Sequence, residues 1–290
     1  MYEPILSKNN HHPRDEFITF QEEGHKYTIS CDPDTKYTSV TTLIHSHFPK
    51  FDADVVIDKM MNGKNWKEGH KYWGMTKQQI KDQWSQNGKN VSQAGTDMHF
   101  NIECFMNNDV VSYPYTHETL ETHFVSDTSG KHDVVEWKYF MKFIKDHPDM
   151  KPYRTEWVVY DEDLKLSGAI DMVYENPDGT LEIYDWKRSK DISAVNQYNN
   201  FATTDCISHM PDSNFWHYSL QLNTYRQILH RKYGKKVTAL RLVRLHPDAE
   251  EESYEIIDVP LLDGDLKNLI TLREDQLNGI IKIKKLVTHT

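Results

Sequence analysis

SGAIDMVYENPDGTLEIYDWKRSK, residues 167–190, decides how the rest of the chain is read. Its two flanks are rich in apolar, aromatic and β-branched residues and read as strands. NPDG between them supplies turn chemistry, since proline presets φ and glycine accepts a positive φ. The hairpin therefore carries Asp171 in one arm, and Asp185 and Lys187 in the other, where a core is expected. Burying an unpaired carboxylate is costly, and burying several together is worse. Side chains two apart share a strand face, so Asp185 and Lys187 point the same way, and pairing of the arms can bring Asp171 beside Asp185. Two adjacent carboxylates repel unless a cation sits between them. Such an oxygen-rich site suits Mg²⁺ or Mn²⁺, which take carboxylates, carbonyls and water.

The whole chain bounds the setting. At 290 residues it can bury a substantial core, with 38% hydrophobic, 12% aromatic and 27% charged residues. No apolar run approaches the roughly 20 residues of a membrane helix, and the N-terminal residues lack a secretory h-region. An intracellular protein is expected, with no membrane partner. Cys31, Cys104 and Cys206 stand far apart without a CxxC, so neither an iron–sulfur cluster nor a zinc ribbon is expected. The net charge of −10 hides its distribution: from Ser213 to Pro247 there is no acidic residue, while Arg226, Arg231, Lys232, Lys235, Lys236, Arg241 and Arg244 all fall there.

Working outward, FITFQEEGHKYTISCDPDT reads as strands around a turn. Residues 54–86 look helical but are interrupted by glycines. SQAGTDMHFNIECFM predicts a helix beginning near Gly95–Thr96, and HDVVEWKYFMKFIKDH (132–147) predicts another. YRTEWVVYDED precedes the hairpin as a strand. A long polar loop over 189–213 leads to FWHYSLQLNTYRQILHRKYG, a helix ended by Gly234. KKVTALRLVRLH then predicts a strand, and DLKNLITLREDQLNGIIKIKK a closing helix. This order predicts an α/β (α+β) fold with a central mixed sheet flanked by helices.

Further pieces gather around the hairpin. GTDMHFNIE puts His99 and Glu103 at i, i+4 on one helix face, the histidine a candidate ligand and the pair otherwise a helix-surface contact. YRTEWVV places Glu156 in the preceding strand, and SLQLNTYRQIL places Gln221 and Tyr225 at i, i+4. A divalent cation beside a lysine suits phosphodiester hydrolysis, because the ion activates water and the ammonium steadies developing charge.

GTDMHFNIE, TEW, GAID, DWK and QLNTY, in this order over roughly residues 95–245, resemble the RecB-like branch of the PD-(D/E)XK nuclease superfamily. The resemblance implies a restriction-endonuclease-like core over 91–290, with a helical insertion at about 104–150 that either elaborates the packing or arches over the site. Residues 1–90 are expected to be an N-terminal β-hairpin and helical extension packed on that core. The same resemblance implies His99, Asp171 and Asp185 as metal ligands, with the Trp186 carbonyl as a further donor to Mg²⁺ or Mn²⁺, and Lys187 as the catalytic lysine. Glu156 matches a family acid of varying role, Gln221 and Tyr225 the motif that orients lysine, water or DNA backbone, and Glu103 a frequent family residue or a helix stabiliser. SVTTLI and DWKRS look similar to the group of the mitochondrial genome-maintenance exonuclease and its phage and large-virus relatives.

The expectation is a metal-dependent DNase working from ends or on single-stranded DNA, in repair, recombination or replication. Arg188, Ser189 and Lys190 after the lysine, and Tyr225, Arg226, Arg231 and Lys232 on the basic helix, are the candidate nucleic-acid contacts. Trp186, Trp216 and Tyr218 are candidate stacking aromatics. A structure-specific endonuclease on DNA or RNA, and an inactive nucleic-acid-binding module, remain open alternatives.

Overall fold

In the computed structural model, residues 4–21, 23–108, 113–116 and 134–280 are described. A short helix, α1 (Ile5–Asn9), and a 3₁₀ turn (Pro13–Phe17) precede a hairpin of β1 (Ile18–Gln21) and β2 (Lys26–Ile29). Then come β3 (Thr38–Ser39), α2 (Val40–His45), α3 (Ala53–Met61), α4 (Lys77–Met106) and α5 (Val135–Asp146). The sheet-forming part follows with β4 (Lys151–Asp161), β5 (Leu166–Glu175), β6 (Leu181–Lys187), α6 (Asn214–Tyr233), β7 (Val237–Arg244), β8 (Glu255–Asp258) and α7 (Asp263–Leu277). Part of the insertion expected at about 104–150 lies outside the described residues. Among the described residues, no helix is long and apolar enough to cross a membrane.

The sheet runs β3-β5-β6-β7-β8, with β4 on the remaining edge of β5. The expected hairpin is there: β5 and β6 pair antiparallel, and Gly179 takes φ +79° in the NPDG turn. β6 and β7 are parallel, which demands a crossover, and α6 supplies it. Gly234 ends α6 at φ +61°, a left-handed cap that costs glycine no Cβ clash.

Two apolar layers sandwich the sheet. On one face Leu181 and Ile183 of β6 pack with α2, α6 and α7. On the other, Tyr184 and Trp186 pack with α4 and α5, where Trp186 meets Phe140 and Phe143 edge-on at centroid distances of 5.6 and 5.4 Å. The period-2 alternation of β6 thus aims Asp185 and Lys187 toward α6.

Two elements depart from the sequence reading. α4 begins at Lys77, not near Gly95, because Thr76 and Gln79 form a reciprocal capping box that starts the helix there. Gly88 and Gly95 lie inside it, each costing roughly 1 kcal/mol against alanine without breaking it. α4 also runs through residue 90, the proposed boundary. The N-terminal segment is tied to β4 by Arg154–Asp15 at 2.7 Å and to the turn just after it by Arg14–Glu162 at 2.5 Å. β8, with Arg241 opposite Asp258, was not expected, since SYEIIDV carries too few alternating residues to stand out.

One glycine explains two motifs at once. A Cβ on Gly168 of GAID would lie 2.7 Å from both Cε1 and the hydroxyl of Tyr225, the last residue of QLNTY. β5 and α6 therefore dock through a bare backbone position. Gly168→Ala is expected to lower stability by about 1–3 kcal/mol, the usual cost of overpacking. Urea denaturation measures it, and an unchanged midpoint would show that the contact is looser than drawn.

Candidate active site

β5 and β6 pair only from Met172↔Tyr184 to Glu175↔Leu181. Beyond Met172 they part, and β3 takes the vacated edge of β5 at Leu166 and Ser167. Asp171 and Asp185 are the first residues past the fork. The side-chain alternation of β5 also slips there, since Ile170 joins the α6 layer and Met172 the α5 layer. Across β4, between the pairs Thr155↔Met172 and Trp157↔Ile170, Glu156 takes φ +45°. A left-handed backbone at a non-glycine strand residue is strained, and such strain concentrates at functional sites.

Parting strands leave peptide groups without ladder partners, and the site side chains take them up. The Trp186 N–H donates to Asp171 Oδ2 at 3.0 Å. The Trp186 carbonyl lies 2.9 Å from His99 Nε2. A carbonyl only accepts, so Nε2 carries a proton and is fixed as the donor. Nδ1 then faces two carboxylates, Glu156 Oε1 and Asp171 Oδ2, each at 3.6 Å. Asp185 is 2% exposed, and Lys187 Nζ lies 2.5 Å from its Oδ2 and 4.6 Å from the Tyr218 ring centroid.

Three carboxylates thus face one lysine and one histidine, and the protonation states follow. Burial pushes Asp185 up to about 6, with Asp171 adding repulsion and Lys187 opposing. Asp171 is likewise raised by burial, against the pull of His99 and Lys187. Burial works against the His99 imidazolium, but Asp171 and Glu156 outweigh it and lift the group to about 9. Lys187, despite burial, is held above its ordinary value by Asp185 and Asp171. It is an ammonium at neutral pH, a charge and proton donor rather than a base.

His99, Glu156 and Asp171 offer one ligand atom each, all within 4.8 Å of one another. Donor atoms this close could share one divalent cation. Two carboxylate oxygens and one imidazole make a donor set that a divalent cation could use. The Nε2–H bond to a backbone carbonyl is the outer hydrogen bond that orients a ligating histidine through its other nitrogen. The Trp186 carbonyl, expected as a further ligand, accepts from His99 Nε2, and Asp185, expected as a ligand, pairs with Lys187.

The other candidates divide. Gln221 hydrogen-bonds Tyr225, whose ring is 4% exposed against Gly168, so Tyr225 positions α6 and does not present a face to nucleic acid. The basic window is largely neutralised by acids from other elements. Arg226 meets Asp263 at 2.5 Å, Arg231 meets Asp161 at 3.2 Å and Lys232 meets Asp163 at 2.7 Å. Arg188 is held by Glu136 of α5 at 2.6 Å, Ser189 bonds the Asp191 carbonyl, and Lys190 remains exposed beside Asp248. Trp186 is buried at 1% exposure and Trp216 donates to the Ala194 carbonyl, whereas Tyr218 stands at the site. Glu103 is pushed to about 7 by burial and then by Glu156, which places it on the site's flank. Tyr27 of β2 had no signal in the sequence, yet its phenol is pushed to about 12 by burial and then by Glu156. The N-terminal hairpin therefore borders the site.

A model of the PD-(D/E)XK nuclease superfamily matches residues 116–284, more than half of the chain. The chain belongs to that superfamily. All of the fork residues except His99 fall inside the matched span. Among solved structures, one named "Putative exonuclease" from Eubacterium rectale is 13% identical and covers 90% of this chain and 85% of its own, with a TM-score of 0.36. Another, SSO0001, is 14% identical and covers 57% and 68%, with a TM-score of 0.26. At such TM-scores neither likeness carries weight for this PD-(D/E)XK chain. No curated protein matches it.

The raised His99 gives a pH signature. Its folded value, about 9, exceeds the ordinary 6.5, so its ion pairs stabilise the metal-free protein fully below pH 6.5 and are lost as pH rises through 9. A cation at Nδ1 must displace that proton. Mn²⁺ affinity is therefore expected to rise about tenfold per pH unit over this window, with about one proton released. Calorimetry in buffers of different ionisation enthalpy reads the proton count, and none released would remove His99 from the ligand set.

Proposed function

We propose that the chain hydrolyses phosphodiester bonds of DNA with Mg²⁺ or Mn²⁺, acting on single strands or free ends. The observation that carries this reading is the fork itself. It sets a buried lysine ammonium on Asp185, directly beside a His99–Glu156–Asp171 triad with cation spacing. A divalent cation there supplies Lewis acidity and lowers the pKa of a bound water.

The chain's own residues do the rest. His99, Glu156 and Asp171 would hold the ion, and Trp186 locks the His99 ring through its carbonyl. Asp185 keeps Lys187 charged and aimed, so that its ammonium faces the negative charge growing on the phosphate. The Tyr218 ring fixes the same ammonium from the α6 side. Gln221 and Tyr225, seated on Gly168, hold α6 in register with this strand end. The preference for single strands and ends draws on the likeness of SVTTLI and DWKRS. In the fold, Ser39 of SVTTLI ends β3, which pairs with β5 past the fork, and Val40–Ile44 lie in α2.

Lys187→Ala is expected to cut turnover about 10²–10³-fold, the usual cost of removing one preorganised charge donor. Lys187→Arg should not restore it, because a planar guanidinium does not replace a compact ammonium on Asp185. End-labelled linear and circular single-stranded DNA, with Mg²⁺, Mn²⁺ or EDTA, provides the assay. Metal-dependent loss of linear DNA with intact circles is the expected result. Cleaved circles would make the activity endonucleolytic, and binding without cleavage under any metal would leave a binding module.

A further inference from the structure

Among the described residues, a run of lysines without ion pairs lies away from α6. Residues 59–81 hold six lysines and one acidic residue in a chain of net charge −10. They connect α3 to α4 through NGKNWKEGHKYWGMTK, residues 62–77. Lys77 and Lys81 are paired with Asp54 and Asp58. Lys64 and Lys67 are exposed and make no ion pair among the described residues, and Lys71 lies 5.1 Å from the Tyr72 ring centroid.

Aromatic rings interleave with these charges. Trp66 packs on His70 at 5.0 Å and on Trp73 at 5.8 Å, and Trp84 of α4 lies 6.1 Å from Tyr72 and 6.2 Å from Phe51. The Trp84 indole N–H donates to the Tyr72 hydroxyl at 2.9 Å, so the set is held rather than splayed. None of these rings joins the three apolar clusters of the core. Trp73 is 48% exposed and Phe51 73%, an expensive way to spend large rings if they served only to pin α3 to α4.

The same helix links this surface to the fork. From Trp84 to His99 α4 advances about 22 Å, and the two residues differ by only about 60° around its axis. Between them Gly88, Ser92 and Gly95 lie within about 40° of the His99 direction. Among the described residues, a Cβ on either glycine would meet nothing within 4 Å, so none of them covers this side-chain-poor face.

We propose that the 62–77 loop with Phe51 is a docking surface for the unpaired strand of a DNA substrate whose other part lies in the fork. Exposed rings take bases by stacking, which needs no sequence, and the free lysines take phosphates. The bare face of α4 gives the strand an unobstructed path between the two. A base-paired duplex cannot offer its ring faces and gains only the phosphate contacts. The proposal rests on the nucleic-acid reading of the fork.

The test uses the full chain in EDTA, with a fluorescent 20-nucleotide oligo-dT and a blunt 20-base-pair duplex, read by anisotropy across salt concentrations. The double variant Phe51→Ala/Trp73→Ala is expected to lose about tenfold or more in affinity for oligo-dT and far less for duplex. The triple variant Lys64→Ala/Lys67→Ala/Lys71→Ala, whose side chains hold no fold contact with an acid, is expected to flatten the salt slope by about 2. With metal, both variants should raise KM and leave kcat. Wild-type binding with both variants unchanged, or an equal loss for duplex and single strand in the aromatic variant, overturns the docking surface alone. A wild-type protein that binds no DNA overturns the reading of the fork together with it.

Discussion

The rest of the site depends on what happens to one peptide group when β5 and β6 part. Past Met172↔Tyr184 the ladder stops, yet the next residues of β6 stay buried, so the N–H and C=O of Trp186 need partners inside the protein. Asp171 accepts from the N–H and His99 donates to the C=O. Each bond satisfies a backbone group, and each also fixes a functional side chain. Asp171 is turned toward His99, and His99 is left with Nδ1 facing two carboxylates. Neutral partners could satisfy the same peptide at less cost in charge burial, so the charged choice marks a site and not a simple packing solution.

Apolar layers make that arrangement stiff. Trp186 is wedged between Phe140 and Phe143 on the α5 side, and its backbone cannot shift without disturbing both rings. On the other side Tyr225 sits where Gly168 has no side chain. Asp185 and Lys187 emerge from a strand clamped from both faces, which suits a constellation that must hold charge in place. The strained φ of Glu156 belongs to the same picture, for it brings a third carboxylate to the fork at a cost the surrounding packing sustains.

Much of this was legible in the residues, for physical reasons. The hairpin showed because NPDG and the flanking β-branched runs have strong local preferences, and α6 showed because Gly234 stops it. Asp171, Asp185 and Lys187 stood out because charges interrupted an apolar pattern, and His99 and Glu156 through their motifs. The division of labour was not legible. Which acid serves the lysine and which faces the histidine depends on where two strands diverge, and no spacing encodes that. Nor were the partners of the basic residues legible: Arg226, Arg231 and Lys232 lie in an acid-free window, but Asp263, Asp161 and Asp163 reach them from elsewhere in the fold. The aromatic and lysine-rich loop after α3 went unread because its glycines looked like interruptions. The true start of α4 is set by a cap at Thr76, and that is a short local signal easily lost in polar sequence.

The centre of the proposed mechanism is a cation held by His99 Nδ1, Glu156 and Asp171, with Asp185 on Lys187. Anomalous diffraction from crystals soaked in Mn²⁺ tests this most directly. One peak among those three side chains, with the His99 Nε2–Trp186 carbonyl bond intact and Lys187 still on Asp185, is the result expected. A peak coordinated instead by Asp185 and the Trp186 carbonyl, or no peak at the fork, would contradict it.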